Sequence, residues 1–280
     1  MKLLVLGGTS DARIITSALL ENAIFENENS LDITYSVAGL VRKPNLNCTV
    51  ISGGFSKLGG LTDYLRQQKI DAVLDATHPY AIKMSEQASS SCQQLAKPYW
   101  RFVRPAWQPT LVDNWQEFSS WPQLLECCTR YQKPFISTGQ LSQAQLDTLA
   151  AQCPQVVYRT AALPRADIAE NIQWVKAIGP FNLQDELALL ADLQVDAIVS
   201  KNAGGEATYA KLAAARILQI DVLLLARPQV IPVQESADKD CQFDKINNLL
   251  DHVLKCVAHF NDKTQKDKIK KAEMRIISDL

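Results

Sequence analysis

The sequence has no apolar run long enough to cross a bilayer; the longest, such as residues 222–226, fall far short of the roughly 18 residues a membrane helix needs. A leader-like opening is also missing. Lys2 is followed only by residues 3–6 before two glycines, too short for the apolar centre of a signal peptide, so a cytoplasmic protein is expected. Seven cysteines, an odd number, are scattered with no C-x-x-C among them, which argues against a zinc or dithiol site and for reduced, mostly buried thiols. Histidine is scarce. Of the three, His252 and His259 share a helical face at a spacing of seven but miss the usual ligand spacings, and no metal is expected. Nor is there an excess of either charge: a net charge of -1 gives no global field to draw nucleic acid, so an anionic ligand must be held by locally gathered Lys and Arg.

What the chain does have is 280 residues, 47% hydrophobic and 21% charged, a length that suits two modest domains. Short apolar runs alternate with helical patterns, the signature of a mostly parallel sheet covered by helices on both faces, so the fold class is α/β. Strands are predicted at residues 2–6, 33–37, 48–51 and 71–75; Ala12, Ile15 and Leu19 form one helical stripe, and Leu58, Leu61 and Leu65 a second. Residues 21–30 read as a polar loop. Residues 1–100 thus form one doubly wound unit, and residues 99–121, with four of the five tryptophans, read as a crossover. Strands near Phe135, Val156, Trp174 and Ala197 and at residues 222–225 build a second unit over residues 101–260. The tail, residues 261–280, mixes six basic with four acidic residues and reads as a solvated helix or disordered.

The first turn, Gly7-Gly8-Thr9-Ser10-Asp11-Ala12-Arg13, joins a strand directly to a helix, so backbone N–H groups there can approach a phosphate. It is neither G-x-G-x-x-G nor a Walker loop, and the plain alternative is a tight turn with Thr9 or Ser10 as helix cap. After the second strand come Gly39, Arg42 and Lys43, where a dinucleotide's ribose lies. Cations without a carboxylate favour a 2′-phosphate, hence NADP over NAD; the alternative is two solvated surface residues. Asp75-Ala76-Thr77-His78-Pro79-Tyr80-Ala81 follows the fourth strand at the carboxyl edge, where open α/β sheets bind ligands; otherwise Thr77 caps the next helix and Pro79 opens it. In the second unit, Ser137-Thr138-Gly139 and Ser200-Lys201-Asn202-Ala203-Gly204-Gly205 end strands, the latter a good anion and amide site for an acidic substrate or else an exposed turn. Arg101, Arg104 and Arg227 either complete a basic cleft or form interdomain pairs.

In this order, GGTSDAR (7–13), SVAG (36–39), GGF (53–55), GLTDYL (60–65), DATHPYA (75–81), RPAW (104–107), STG (137–139), SKNAGG (200–205) and ARP (226–228) resemble the precorrin-6A reductase family. Leu40 stands where that family carries arginine, with Arg42 two residues on; Asp11 replaces a glutamate and Ser56 a glycine. The resemblance implies two Rossmann-like units with an interdomain cleft, in which NADPH, with NADH as the alternative, reduces a double bond of precorrin-6A or cobalt-precorrin-6A to the precorrin-6B level in cobalamin biosynthesis. It implies Gly7, Gly8, Thr9, Ser10, Gly39, Arg42, Lys43 and Thr77 at the cofactor. At the tetrapyrrole it implies Arg13, Tyr80, Arg104, Thr138, Gly139, Lys201, Asn202, Gly204 and Gly205. His78 or Lys201 is the candidate for proton delivery or electrostatic assistance. The partner is a small-molecule tetrapyrrole, with other pathway enzymes as further partners and neither nucleic acid nor membrane. The competing readings are another NADP-linked oxidoreductase with an acidic substrate and a non-catalytic dinucleotide-binding module.

Overall fold

The computed structural model of the chain describes residues 1–25, 31–39, 44–228 and 240–278. The chain divides into two units, Met1–Arg104 with Val230–Leu280, and Pro105–Gln229. Each is built on a six-stranded sheet whose strand pairs all run parallel.

In the first unit, β1 (Lys2–Leu6), β2 (Asp32–Val37), β3 (Thr49–Ser52), β4 (Ala72–Asp75), β5 (Tyr99–Phe102) and β12 (Asp240–Phe243) lie in the order β12-β5-β4-β1-β2-β3. The period of two along β1 explains its covering. Leu3 and Val5 face α1 (Ser10–Phe25) and α8 (Ile246–Ser278), in one core with Ala12, Ile15, Leu19, Leu249 and Val253. Leu4 and Leu6 face the other way, into a core with Leu61 of α2 (Leu61–Gln67) and Ala88 and Cys92 of α3 (Ile82–Gln94). The stripe at Ala12, Ile15 and Leu19 is fully buried, as its spacing predicts. The second stripe is shorter than its spacing suggests. Leu58 ends a 3-10 turn and is 46% exposed, because Gly59 and Gly60, both at positive φ, break the run before α2.

Three expectations are corrected here. The second unit does not run on to residue 260: β12 pairs with β5, and Leu249, Val253 and Val257 of α8 bury in the first core. Residues 99–121 do contain the change of unit, after Arg104, but they are not a bare connection: they include two strands, β5 in the first sheet and β6 (Trp115–Phe118) in the second. The supposed loop at residues 21–30 begins as helix, since α1 continues to Phe25. The tail is helical as far as Ser278.

In the second unit, β6, β7 (Pro134–Ile136), β8 (Val156–Thr160), β9 (Ile172–Lys176), β10 (Ala197–Lys201) and β11 (Asp221–Leu225) lie in the order β6-β11-β10-β7-β8-β9. One face, with Phe135, Val157, Ile198, Val222 and Leu224, packs on α6 (Leu183–Asp192) and α7 (Ala210–Leu218). On α4 (Trp121–Cys128) and α5 (Gln143–Gln152), Leu124, Cys128, Leu146 and Leu149 are buried, and a Ser142–Gln145 capping box starts α5. Strand order reverses between β1 and β4 in the first sheet and between β7 and β10 in the second; at such crossings the loops leave in opposite directions and open a crevice at the strand carboxyl ends. Each crossing carries motifs singled out in the sequence.

Candidate functional site

The first crossing is built around Gly7 and Gly8. The Gly7 N–H donates to the Ser36 carbonyl (2.8 Å), and the Gly8 N–H to the Tyr35 hydroxyl (3.1 Å). The Tyr35 ring fills the space that a Cβ on residue 7 would take, so only glycine fits, and Gly8 sits at φ +102. The Thr9 hydroxyl donates to the Ala76 carbonyl (2.8 Å) and accepts the Ala12 N–H (3.0 Å), capping α1 while tying the β1 turn to the β4 turn. Among the described residues, no acceptor is found for the N–H groups of Thr9, Ser10 and Asp11. Three such N–H groups at the positive end of a 16-residue helix are chemistry suited to an anion. Arg104 pairs with Asp11 at 2.6 Å, so it is held against this first helical turn, while Arg13 is exposed.

Gly39 is exposed just beyond β2; Arg42 and Lys43 lie outside the described residues. At the end of β4, Asp75 is 1% exposed and accepts both the N–H (3.0 Å) and the hydroxyl (2.7 Å) of Thr77. Thr77 is therefore not a cap for α3, whose N-cap residue is Ala81; the alternative reading of this string as a simple helix start does not hold. His78 and Tyr80 are half-buried with rings 5.5 Å apart, and His78 Nδ1 accepts the Tyr80 N–H (3.3 Å), which leaves the proton of the neutral ring on Nε2.

At the second crossing, Thr138 is buried beyond β7, and its hydroxyl has no partner among the described residues. Gly139 follows at φ +83. Lys201 ends β10 half-buried, and burial lowers its pKa from the usual lysine value. Asn202 turns inward: its Oδ1 accepts the Trp107 N–H (2.9 Å), and its Nδ2 donates to the Trp107 carbonyl (3.2 Å) and to Glu117 (3.0 Å). Gly204, at φ +64, touches the Pro105 carbonyl and Arg227 where a Cβ would go; Gly205 is at φ +91. Arg227 donates to the carbonyls of Asn202 (2.9 Å), Ala203 (2.9 Å) and Pro105 (3.0 Å), stapling this loop to the segment that carries Trp107. A cavity of about 350 Å³ lies beside the staple, lined by Trp107, Trp115, Glu117 and Arg227 among others.

Sequence reasoning missed several groups that hold these turns. Tyr35, the Tyr99 partner of Asp75 and the buried Lys211 against Trp107 are ordinary residues in their local sequence, while Arg101, expected in a cleft or an interdomain pair, instead pairs with Asp75 of its own unit. The one available signal was Asp75 at the end of an apolar strand. A carboxylate there needs buried donors.

The family model for precorrin-6x reductase CbiJ/CobK matches residues 2–253. The chain is 34% identical over 230 residues to the precorrin-6A reductase of Mycobacterium tuberculosis, covering 81% of this chain and 89% of that one. It is 27% identical to the cobalt-precorrin-6A reductase of Methanothermobacter thermautotrophicus, covering 91% and 84% respectively. A solved structure titled CobK precorrin-6A reductase superposes with a TM-score of 0.77 at 28% identity, covering 92% of this chain and 96% of that one. With its glycine turn, its threonine-histidine turn and its second-unit loops all falling inside the matched span, this chain belongs to the precorrin-6x reductase family of cobalamin biosynthesis, oxidoreductases that act on a CH–CH bond.

Proposed function

We propose that the chain uses NADPH to reduce a double bond of precorrin-6A, metal-free or carrying cobalt, to the precorrin-6B level. The observation that carries this reading is the β1–α1 turn: the N–H groups of Thr9, Ser10 and Asp11 have no acceptor among the described residues and follow directly on two glycines. A pyrophosphate fits that chemistry, with the Gly7, Gly8, Thr9 and Ser10 backbone as its cradle. Bound there, the reduced nicotinamide supplies the hydride. Gly39 borders the ribose, and Arg42 and Lys43 are assigned to the 2′-phosphate, the basis for NADPH over NADH. Thr77 offers its edge to the cofactor.

The macrocycle is a polyacid, and the groups that suit it are Lys201, the unpartnered hydroxyl of Thr138, and the backbone at Gly139, Gly204 and Gly205. Half-burial strengthens the attraction of Lys201 for a carboxylate by excluding water. Arg13 is exposed and free to reach a peripheral carboxylate, Tyr80 offers an aromatic face, and Arg104 and Asn202 contribute by holding the α1 turn and the Trp107 segment. His78 presents its Nε2–H as a hydrogen-bond donor that stabilises charge on the macrocycle during the reduction. Seven free thiols suit a reducing compartment, which supports the cytoplasm as its location.

The test is direct. The purified chain is given NADPH and then precorrin-6A, or its cobalt form; NADPH absorbance should fall in step with a shift of the macrocycle's visible spectrum. NADPH binding without turnover of either tetrapyrrole would sink the assignment, and faster turnover with NADH would sink the cofactor choice.

A further inference from the structure

Asp75 has no part in the chemistry above, yet its two oxygens are fully engaged in two different directions. Oδ1 takes the N–H and hydroxyl of Thr77 (3.0 and 2.7 Å). Oδ2 takes the Tyr99 hydroxyl at 2.7 Å and lies 3.8 Å from Arg101 Nε. Tyr99 and Arg101 sit on β5, which is hydrogen-bonded to β4 with Asp75 opposite Arg101. All three side chains are buried, Tyr99 at 1% and Arg101 at 4% exposure. Burial, reinforced by the Asp75 charge, pushes the Tyr99 hydroxyl far above the usual tyrosine range, so it stays a donor at every working pH. One oxygen thus grips the sheet and the other grips the turn. The turn is held from a second side by Thr9, which donates to the Ala76 carbonyl (2.8 Å).

We propose that Asp75 is a positioning residue for the reductase reaction: fixed at the end of β4, with Tyr99 and Arg101 of β5 satisfying its other oxygen, it holds Thr77, and through Thr77 orients His78 at the carboxyl edge of β4. This rests on the NADPH-dependent reading given above. A carboxylate accepts on both sides at once; an asparagine amide would turn its N–H groups toward either the Thr77 N–H or the Arg101 Nε–H, neither of which can accept. It would also leave the buried Arg101 without its counter-charge.

Asp75→Asn should lower kcat about 10- to 100-fold with less change in KM for the macrocycle, as misplacement of a reacting group does. Tyr99→Phe removes only the sheet-side donor. It should lower the melting temperature yet leave kcat within about threefold, since both Thr77 bonds remain. The histidine NMR titration separates positioning from mere stability: against the wild-type chain, His78 should shift in Asp75→Asn and stay in Tyr99→Phe. Should Asp75→Asn fail to fold, Asp75→Glu keeps the charge and both acceptors but moves them outward by one methylene, so it too should lose kcat and move the His78 titration. Full kcat in the Asp75 variant that folds, or an unmoved His78, overturns the proposal. If the wild-type chain oxidises no NADPH with precorrin-6A, it is the reductase reading that has failed, and the His78 titration alone then decides on Asp75.

Discussion

Replacing Lys211 by methionine should stabilise the second unit at neutral pH and less so in alkali. Lys211 is 3% exposed in the first turn of α7; its ammonium donates to the Thr208 carbonyl (2.8 Å) and lies 5.0 Å above the Trp107 ring. Burial, with the nearby Arg159 guanidinium adding to it and Glu186 opposing it, lowers its pKa from 10.5 to about 7. At about 1.4 kcal/mol per pH unit, that depression corresponds to a penalty on the order of 5 kcal/mol where both folded and unfolded chains carry the charge. The folded-state pKa is depressed, so below about pH 7 the penalty is complete. Between there and 10.5 only the unfolded chain keeps the proton, so stability rises with pH until the penalty is gone.

Methionine matches the stem but leaves the Thr208 carbonyl without this donor, a loss of about 1 kcal/mol, and removes a positive neighbour from Glu186. The net gain near neutral pH is therefore about 2–4 kcal/mol, shrinking by about 1.4 kcal/mol for each pH unit above about pH 7. Urea unfolding followed by tryptophan fluorescence reports on the right region, because Trp107, Trp115, Trp121 and Trp174 belong to the second unit and only Trp100 to the first. A difference between the two proteins that does not vary with pH would falsify the buried-cation argument.

Other outcomes follow from the same geometry. Gly7→Ala should weaken NADPH binding at least about tenfold by driving the Tyr35 ring out of the turn, with Tyr35→Ala partly restoring it in the double variant; calorimetric titration checks this. Gly204→Ala should destabilise the second unit by about 2–4 kcal/mol, because a Cβ meets the Pro105 carbonyl at a positive φ; chemical denaturation with unchanged NADPH affinity would fit, and a loss below about 1 kcal/mol would not. Lys201→Ala should raise KM for the macrocycle several-fold more than KM for NADPH, and equal changes in the two would remove Lys201 from the substrate side.

The class and much of the layout were legible because hydrophobic period is a local property. Leu3 to Leu6, the stripe at Ala12, Ile15 and Leu19, and the glycine turns all declare themselves within a dozen residues, and the ordered strings from GGTSDAR to ARP were sufficient to point to the family. Asp240 to Phe243 was not legible as a sixth strand of the first sheet. Nothing in its sequence says that its partner is Tyr99 to Phe102, more than a hundred residues earlier. The same limit hid the site's supports.

By itself the sequence determined two α/β units, the positions of the glycine-bearing turns at their strand ends and the family to which the chain belongs, since each depends on residue type at short spacing. Only tertiary structure decided that Asp75 answers to Tyr99 and Arg101, that Tyr35 lies under Gly7, and that Arg227 and Asn202 hold their own loop. The reason is physical: a buried polar group takes whichever partner the packed fold brings within bonding distance, and strand order, not chain order, sets which partner that is.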